Sequence, residues 1–282
     1  MPRIAVVIDD LKRFKRIHYF LHPLIEEWER SGWEVLLRTG IRQLPEAEVA
    51  ILHVDLTRLP EYFQDLSRRY PAVLNLQAVD ISKRRISRQL VGPDDGYTGP
   101  VIVKTDANSG GVGERAARYG TPVIGRLRRL VDRRRHWTRT GIMKSSHYPV
   151  YPFMREVPPA VWANPHLVVE RFIGERHGEN YALRQWVFLG DREISRISFS
   201  ANPVVKAKNI ITSEALDSVP DSLRILREEL GFDYGKFDYV LHEGMAVLLD
   251  ANRTPTAHPR ALGNKALNYA AQLADGIRRY LP

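Results

Sequence analysis

Lys236-Phe237-Asp238-Tyr239-Val240-Leu241-His242-Glu243-Gly244-Met245-Ala246-Val247-Leu248-Leu249-Asp250-Ala251-Asn252 is the stretch that decides the fold. Apolar runs flank the turn pair Glu243-Gly244, so residues 237–241 and 245–250 read as a β-hairpin. Side chains alternate along a strand. Asp250 and Asn252 therefore face one way, and Asp238 can face them across the hairpin. Two carboxylates and an amide oxygen are hard ligands that suit Mg²⁺, which keeps waters and shares phosphate oxygens. Acidic strand ends are also common without a metal, so the reading needs support from elsewhere in the chain.

That support lies upstream. Residues 100–104 form a short apolar strand ending in Lys104, which leads into Asn108-Ser109-Gly110-Gly111-Val112-Gly113. A glycine-rich turn lets backbone N–H groups approach phosphate oxygens, and a lysine leaving the adjacent strand can neutralise them. No Gly-Lys-Ser/Thr closes the turn, so it is not a Walker loop. Residues 167–173 read as a strand carrying Glu170. Residues 181–189 and 194–200 read as a hairpin about Gly190-Asp191, 221–230 as a helix and 262–280 as a closing helix.

The order of these parts resembles the ATP-grasp superfamily. Its pattern is a strand lysine, a glycine-rich loop, a hinge glutamate in E-x-[FWY]-[IL]-x-G, then D…(E/D)-x-N. Here the parts are Val103-Lys104, Ser109-Gly110-Gly111-Val112-Gly113, Glu170-Arg171-Phe172-Ile173-Gly174-Glu175, Asp238 and Asp250-Ala251-Asn252. The resemblance is to carboxylate–amine ligases of the RimK and D-alanine–D-alanine ligase type. It implies an α/β and α+β architecture: an ATP-grasp fold behind a small N-terminal open α/β domain. The expected division is 1–80 for that domain, 81–169 for a central subdomain with the glycine-rich loop, and 170–282 for a C-terminal subdomain with the metal site.

The resemblance also assigns roles. Lys104 would bind ATP phosphates, with Ser109, Gly110, Gly111 and Gly113 as their lid. Glu170, Arg171, Phe172 and Ile173 would hold adenine, chiefly through backbone groups, and Glu175 the ribose. Asp238, Asp250 and Asn252 would hold one or two Mg²⁺. Arg88, in Lys83-Arg84-Arg85-Ile86-Ser87-Arg88, stands where a second phosphate-binding lysine often occurs. Arg184, Arg196 and Lys236 match positions that often bind the substrate carboxylate or an acyl phosphate. Replacing Lys104 by alanine is expected to raise the ATP requirement and leave the fold intact.

The N-terminal stretch carries no specific motif. Strands at 4–8, 33–37, 49–54 and 72–76 alternate with helical segments at 17–30 and 62–69, as in a small open α/β unit. Ile8 runs into Asp9-Asp10-Leu11 and not into G-x-G-x-x-G, which speaks against a dinucleotide site. Residues 81–91 read as a basic helix. His18 and His22 share a helix face but lack the glutamate of H-E-x-x-H.

The chain has 282 residues, 44% of them apolar and 27% charged, as a soluble globular protein does. No apolar run reaches the roughly 18 residues of a membrane span. Asp9 and Asp10 come too early for a signal peptide. The absence of cysteine excludes disulfides and thiolate chemistry, and a cytoplasmic location is the expectation. Forty-two basic against 33 acidic residues leave +9, which favours an anionic partner. Ten cations fall between Arg115 and Lys144, either a solvated surface or a funnel for an anionic substrate. Nucleic acid is the weaker expectation, since no RNP, zinc-finger or helix-turn-helix signature is present.

The expected activity is ATP- and Mg-dependent joining of a small-molecule or peptide carboxylate to an amine or other nucleophile. Two rivals are a kinase of the same fold acting on a small molecule and a non-catalytic anion- or nucleic-acid-binding relative.

Overall fold

The computed structural model describes residues 1–111, 113–114, 136–257 and 264–281. Most of the arginine-rich stretch, 115–135, lies outside them, as do Val112 and Leu262. Three sheets organise the described residues.

The first sheet is parallel, in the order β2-β1-β3-β4, from β1 (Arg3–Ile8), β2 (Glu34–Thr39), β3 (Val49–His53) and β4 (Val73–Leu74). Ile4, Val6 and Ile8 pack on one face with Leu21, Leu24 and Trp28. Ala5, Val7 and Leu52 pack on the other with Phe63 and Leu66. Burial on both faces explains why β1 and β3 read as continuous apolar runs. Helix α1 (Leu11–Arg16) starts at Asp10, whose side chain accepts from the Arg13 N–H. Helix α2 (Leu21–Arg30) takes Pro23 into its first turn, where no N–H is needed, so the proline does not break it.

The basic segment is helical only over α3 (Lys83–Ile86), not to residue 91 as expected. Ser87 turns extended, and the chain then follows an edge strand: the Val91 N–H donates to Val169 O and the Arg171 N–H to Gln89 O. That strand belongs to the second sheet, β6-β5-β7, with β5 (Val101–Thr105), β6 (Val150–Tyr151) and β7 (Leu167–Arg171) antiparallel.

The third sheet is antiparallel, in the order β11-β10-β9-β12-β13, with β8 on β9. Its strands are β8 (Glu175–His177), β9 (Asn180–Leu189), β10 (Arg192–Ser200), β11 (Thr212–Leu216), β12 (Tyr234–His242) and β13 (Met245–Asn252). Both expected hairpins are present, β9–β10 and β12–β13. Trp186, Phe188, Phe237, Tyr239 and Leu248 turn to one face and pack with Leu223 of α4 (Asp221–Glu229). The other face is left for a cleft. The closing helix α5 (Asn264–Ala274) changes to a 3₁₀ turn at Asp275–Tyr280. There Gly276 rests on the β9–β10 turn, and a Cβ on it would sit 1.9 Å from Leu189 O. Trp28 Nε1 donates to Ala274 O at 2.9 Å, so α2 and α5 join the first sheet to the third.

Candidate active site

The cleft, about 670 Å³, opens between the second sheet and the free face of the third. Register sets its floor in rows. Arg196, Gln185, Asp238 and Asp250 are successive cross-strand partners on β10, β9, β12 and β13. Ile194, Val187, Lys236 and Asn252 form the next row. Leu183 and Val240 line the other side, beyond Gln185 and Asp238.

Asp238 and Asp250 share a face because β13 carries a bulge. Tyr239 pairs with Leu248 but Asp238 with Asp250, so Leu249 is the extra residue. In an unbroken register Asp250 would oppose Phe237 and enter the core.

From the opposite wall, β5 sends Ile102 and Lys104 into the cleft. Lys104 Nζ donates to Glu170 Oε2 at 2.6 Å and to Leu249 O at 3.4 Å. Lys104 and Glu170 are both buried, and the second oxygen of Glu170 has no hydrogen-bond partner among the described residues. Lys83, at the start of α3, pairs with Asp250 Oδ1. Burial works against the Lys83 charge, yet Asp250 holds its pKa above the ordinary value. Burial likewise disfavours the Asp250 carboxylate, but Lys83, Lys206 and Lys236 outweigh it and hold that pKa low. Lys206 is driven the other way: burial and the neighbouring Lys104 and Lys236 lower its pKa against the pull of Asp250 and Asp238. Among the described residues seven cationic side chains and two carboxylates line the cleft, so its field attracts anions.

The donor set fits one Mg²⁺. Asp238, Asp250 and Asn252 offer hard oxygens on one face. Several of those oxygens already have partners. Asp238 accepts from Gln185 Nε2 at 2.9 Å and Lys236 Nζ at 3.0 Å, and Asn252 Oδ1 from the Thr254 N–H at 2.8 Å. Asp250 Oδ2 has no hydrogen-bond partner among the described residues. No cluster of three His, Asp or Glu side chains forms a metal site among the described residues. So sparse a set suits an ion that takes its remaining ligands from water and phosphate.

The structure brings Lys104, Ser109, Arg171, Phe172, Ile173, Arg196, Lys236, Asp238, Asp250 and Asn252 to this one cleft. It does not bring Arg184, Glu175 or Arg88. Arg184 alternates with Gln185 and so points away from the cleft, where its guanidinium grips both oxygens of Glu175. Glu175 also accepts from the Leu241 N–H at 2.7 Å, which leaves it committed rather than free for a ribose. Arg88, two residues past the end of α3, reaches out to Glu229 at 3.1 Å, with both side chains more than half exposed. Glu170 meets Lys104 with its side chain. The Arg171 and Phe172 N–H groups are spent on Gln89 O and Pro100 O, while Ile173 has no backbone partner among the described residues.

The glycine-rich segment turns through three left-handed residues, Ser109, Gly110 and Gly111. Its rear docks on the first sheet's loops. The Asn108 N–H donates to Thr57 Oγ1 at 2.9 Å, and a Cβ on Gly113 would lie 1.9 Å from Asp55 O. Of the described loop residues, Asn108 to Gly113, only Ser109 lines the cleft.

Several contributors carry no motif. Lys83 opens α3, and no sequence signal in the basic stretch marks it over Arg88. Gln185 links Arg196 to Asp238, its Oε1 accepting from Arg196 Nε at 2.8 Å. Thr254 joins Asn252 to Asp55 Oδ1, and Tyr19 donates to the other Asp55 oxygen at 2.8 Å. Arg253 is buried beside them, its guanidinium donating to the carbonyls of Leu56, Thr57, Ala78 and Val79. Burial lowers its pKa to about 10, so it is charged at neutral pH. These bonds fasten the end of β13 to the first sheet's loops.

No protein-family model matches the chain, and no curated protein does. Among solved structures, D-alanine–D-alanine ligase from Bacillus anthracis aligns with all of this chain and 96% of its own, with a TM-score of 0.50 and 12% identity. The RimK domain protein ATP-grasp from Sphaerobacter thermophilus aligns over 98% of this chain and 99% of its own, at 0.47 and 16%. The ATP-grasp ligase PsnB, complexed with a minimal precursor, aligns over 99% and 100%, at 0.48 and 12%. At such identities the likeness is one of fold. The chain has the ATP-grasp fold, a mixed α/β and α+β architecture that begins with an open parallel sheet. No helix among the described residues is long and apolar enough to cross a membrane.

Proposed function

We propose that this protein is an ATP-dependent ligase that joins a carboxylate to an amine, or to another nucleophile, through an acyl phosphate. One observation carries the reading: Lys83, Lys104 and Lys236 converge with Asp238 and Asp250 in one cleft that also has an apolar wall. The apolar wall of Ile102, Leu183, Val240 and Leu249 suits a purine. The Ile173 backbone supplies a donor and an acceptor for its edge. The lysines suit a triphosphate, and Lys206 overhangs the same space.

In this reading the substrate carboxylate oxygen bonds to the γ-phosphorus as the bridging P–O bond breaks and ADP leaves. The amine nitrogen then attacks the acyl carbon. The C–O bond to phosphate breaks, inorganic phosphate departs, and the amine proton goes to solvent. No side chain need act as nucleophile. The chain's residues position the reactants and balance charge. Lys83 and Lys104 hold phosphate oxygens, and Lys236 and Arg196 steady the carboxylate. Asp238, Asp250 and Asn252 would hold Mg²⁺, which supplies further positive charge against the phosphates. A cytoplasmic location fits an enzyme that consumes ATP.

The test is a trap. With ATP, Mg²⁺ and an accepted acid, hydroxylamine should yield a hydroxamate and one ADP for each. A stable phosphoester in place of the hydroxamate would make the protein a kinase. ATP binding without turnover on any acid or alcohol would make it a non-catalytic relative.

A further inference from the structure

We infer that the acid taken by this cleft carries its carboxylate on an apolar body, and that Val187 and Ile194 set that preference. This rests on the ligase reading and adds the class of acid.

The sheet floor changes character from row to row. The row of Arg196, Gln185, Asp238 and Asp250 is wholly polar. In the next row Ile194 lies directly opposite Val187, and Val187 directly opposite Lys236. An ammonium therefore adjoins an apolar pair. Ile17 and Phe20, from the turn between α1 and α2, and Tyr269 of α5 line the same cleft. Val187, Ile194, Ile17 and Tyr269 also pack as half-buried neighbours of one apolar cluster that contains Phe20. Asp238 and Asp250 are the two carboxylates among the described lining residues, and both stand in the polar row. Arg16 and His18 are exposed lining residues.

A carboxylate beside Lys236 places the next atoms of its molecule over Val187 and Ile194. Apolar atoms there leave water and gain contacts. A charged or hydroxylated group there gives up water with no partner from the apolar pair, so the site disfavours it. Each methylene buried against the apolar pair should raise kcat/KM about fourfold until that space is filled.

The experiment has two parts. Calorimetry first measures ATP binding to the wild-type protein. ADP release is then followed with ATP, Mg²⁺ and hydroxylamine over straight-chain monocarboxylates of increasing length and dicarboxylates of the same lengths. The expected result is a rise of about fourfold per methylene for the monocarboxylates. The dicarboxylates should stay at least roughly tenfold lower. In Ile194→Asn the rise with length should flatten while ATP affinity holds. A flat length dependence in the wild-type protein, or a preference for dicarboxylates, overturns the inference. So does bound ATP with no ADP release across both series. Absence of ATP binding overturns the ligase reading itself, and the inference with it.

Discussion

Lys104→Met should cost the protein about 3–5 kcal/mol of stability together with its grip on ATP. The sequence alone predicts a purely electrostatic loss with the fold intact. In the structure Lys104 is the partner of Glu170, which is 2% exposed and has one oxygen without a hydrogen bond among the described residues. Removing the lysine leaves a buried carboxylate with no ion-pair partner among the described residues, only the longer-range pull of Lys83. The companion variant separates the two effects. Lys104→Met with Glu170→Gln removes both charges, so stability should return to within about 1 kcal/mol of wild type. ATP affinity should stay roughly 10- to 100-fold weaker, the loss of one charge-assisted phosphate contact. Denaturant titration gives the first quantity and calorimetry the second. A single variant as stable as wild type would contradict the pairing.

Asp250→Asn should lower ADP release by at least about 100-fold, near 3 kcal/mol, and raise the Mg²⁺ concentration needed. Two losses add in one residue. The proposed metal set would keep a single carboxylate, Asp238, and Lys83 is left buried without its partner. Lys83→Met combined with Asp250→Asn should therefore recover stability and not turnover. Asp238→Asn should act in the same direction. The Asp250 carboxyl is held below its ordinary value of 3.8. The stability it contributes is present above that value and is lost as pH falls through the lower, folded pKa. Turnover is followed by coupled ADP release; wild-type rates in Asp250→Asn would show that this carboxylate takes no part.

Much of the site is legible because strand ends keep a period of two. Lys104 at the end of an apolar run, and Asp250 and Asn252 two residues apart, name the cleft face without any structure. Parity also explains which expected residues lie outside the cleft. Arg184 looks like a substrate cation, but it neighbours Gln185, whose side chain points into the cleft, so Arg184 must point out. Glu175 follows it there as an ion-pair partner. Arg88 fails for another reason: the basic helix stops at Ile86, because residues 89–91 are taken up along β7. Lys83, before that break, keeps its place and pairs with Asp250. The bulge at Leu249 has no sequence signal, since no glycine or proline marks it, yet it alone turns Asp250 toward Asp238. The buried bonds of Arg253 and the chain Asn252–Thr254–Asp55–Tyr19 tie segments far apart in sequence, and local pattern does not carry such contacts.

In the proposed function one cleft binds ATP, with its phosphates over the lysine and aspartate cluster. A crystal structure with a non-hydrolysable ATP analogue and Mg²⁺ tests it most directly. The purine is expected against Ile102, Leu183 and Leu249, its edge at Ile173, and the phosphates within hydrogen-bond reach of Lys83 and Lys104. Phosphates bound away from both lysines, or no nucleotide in the cleft at saturating concentration, would contradict it.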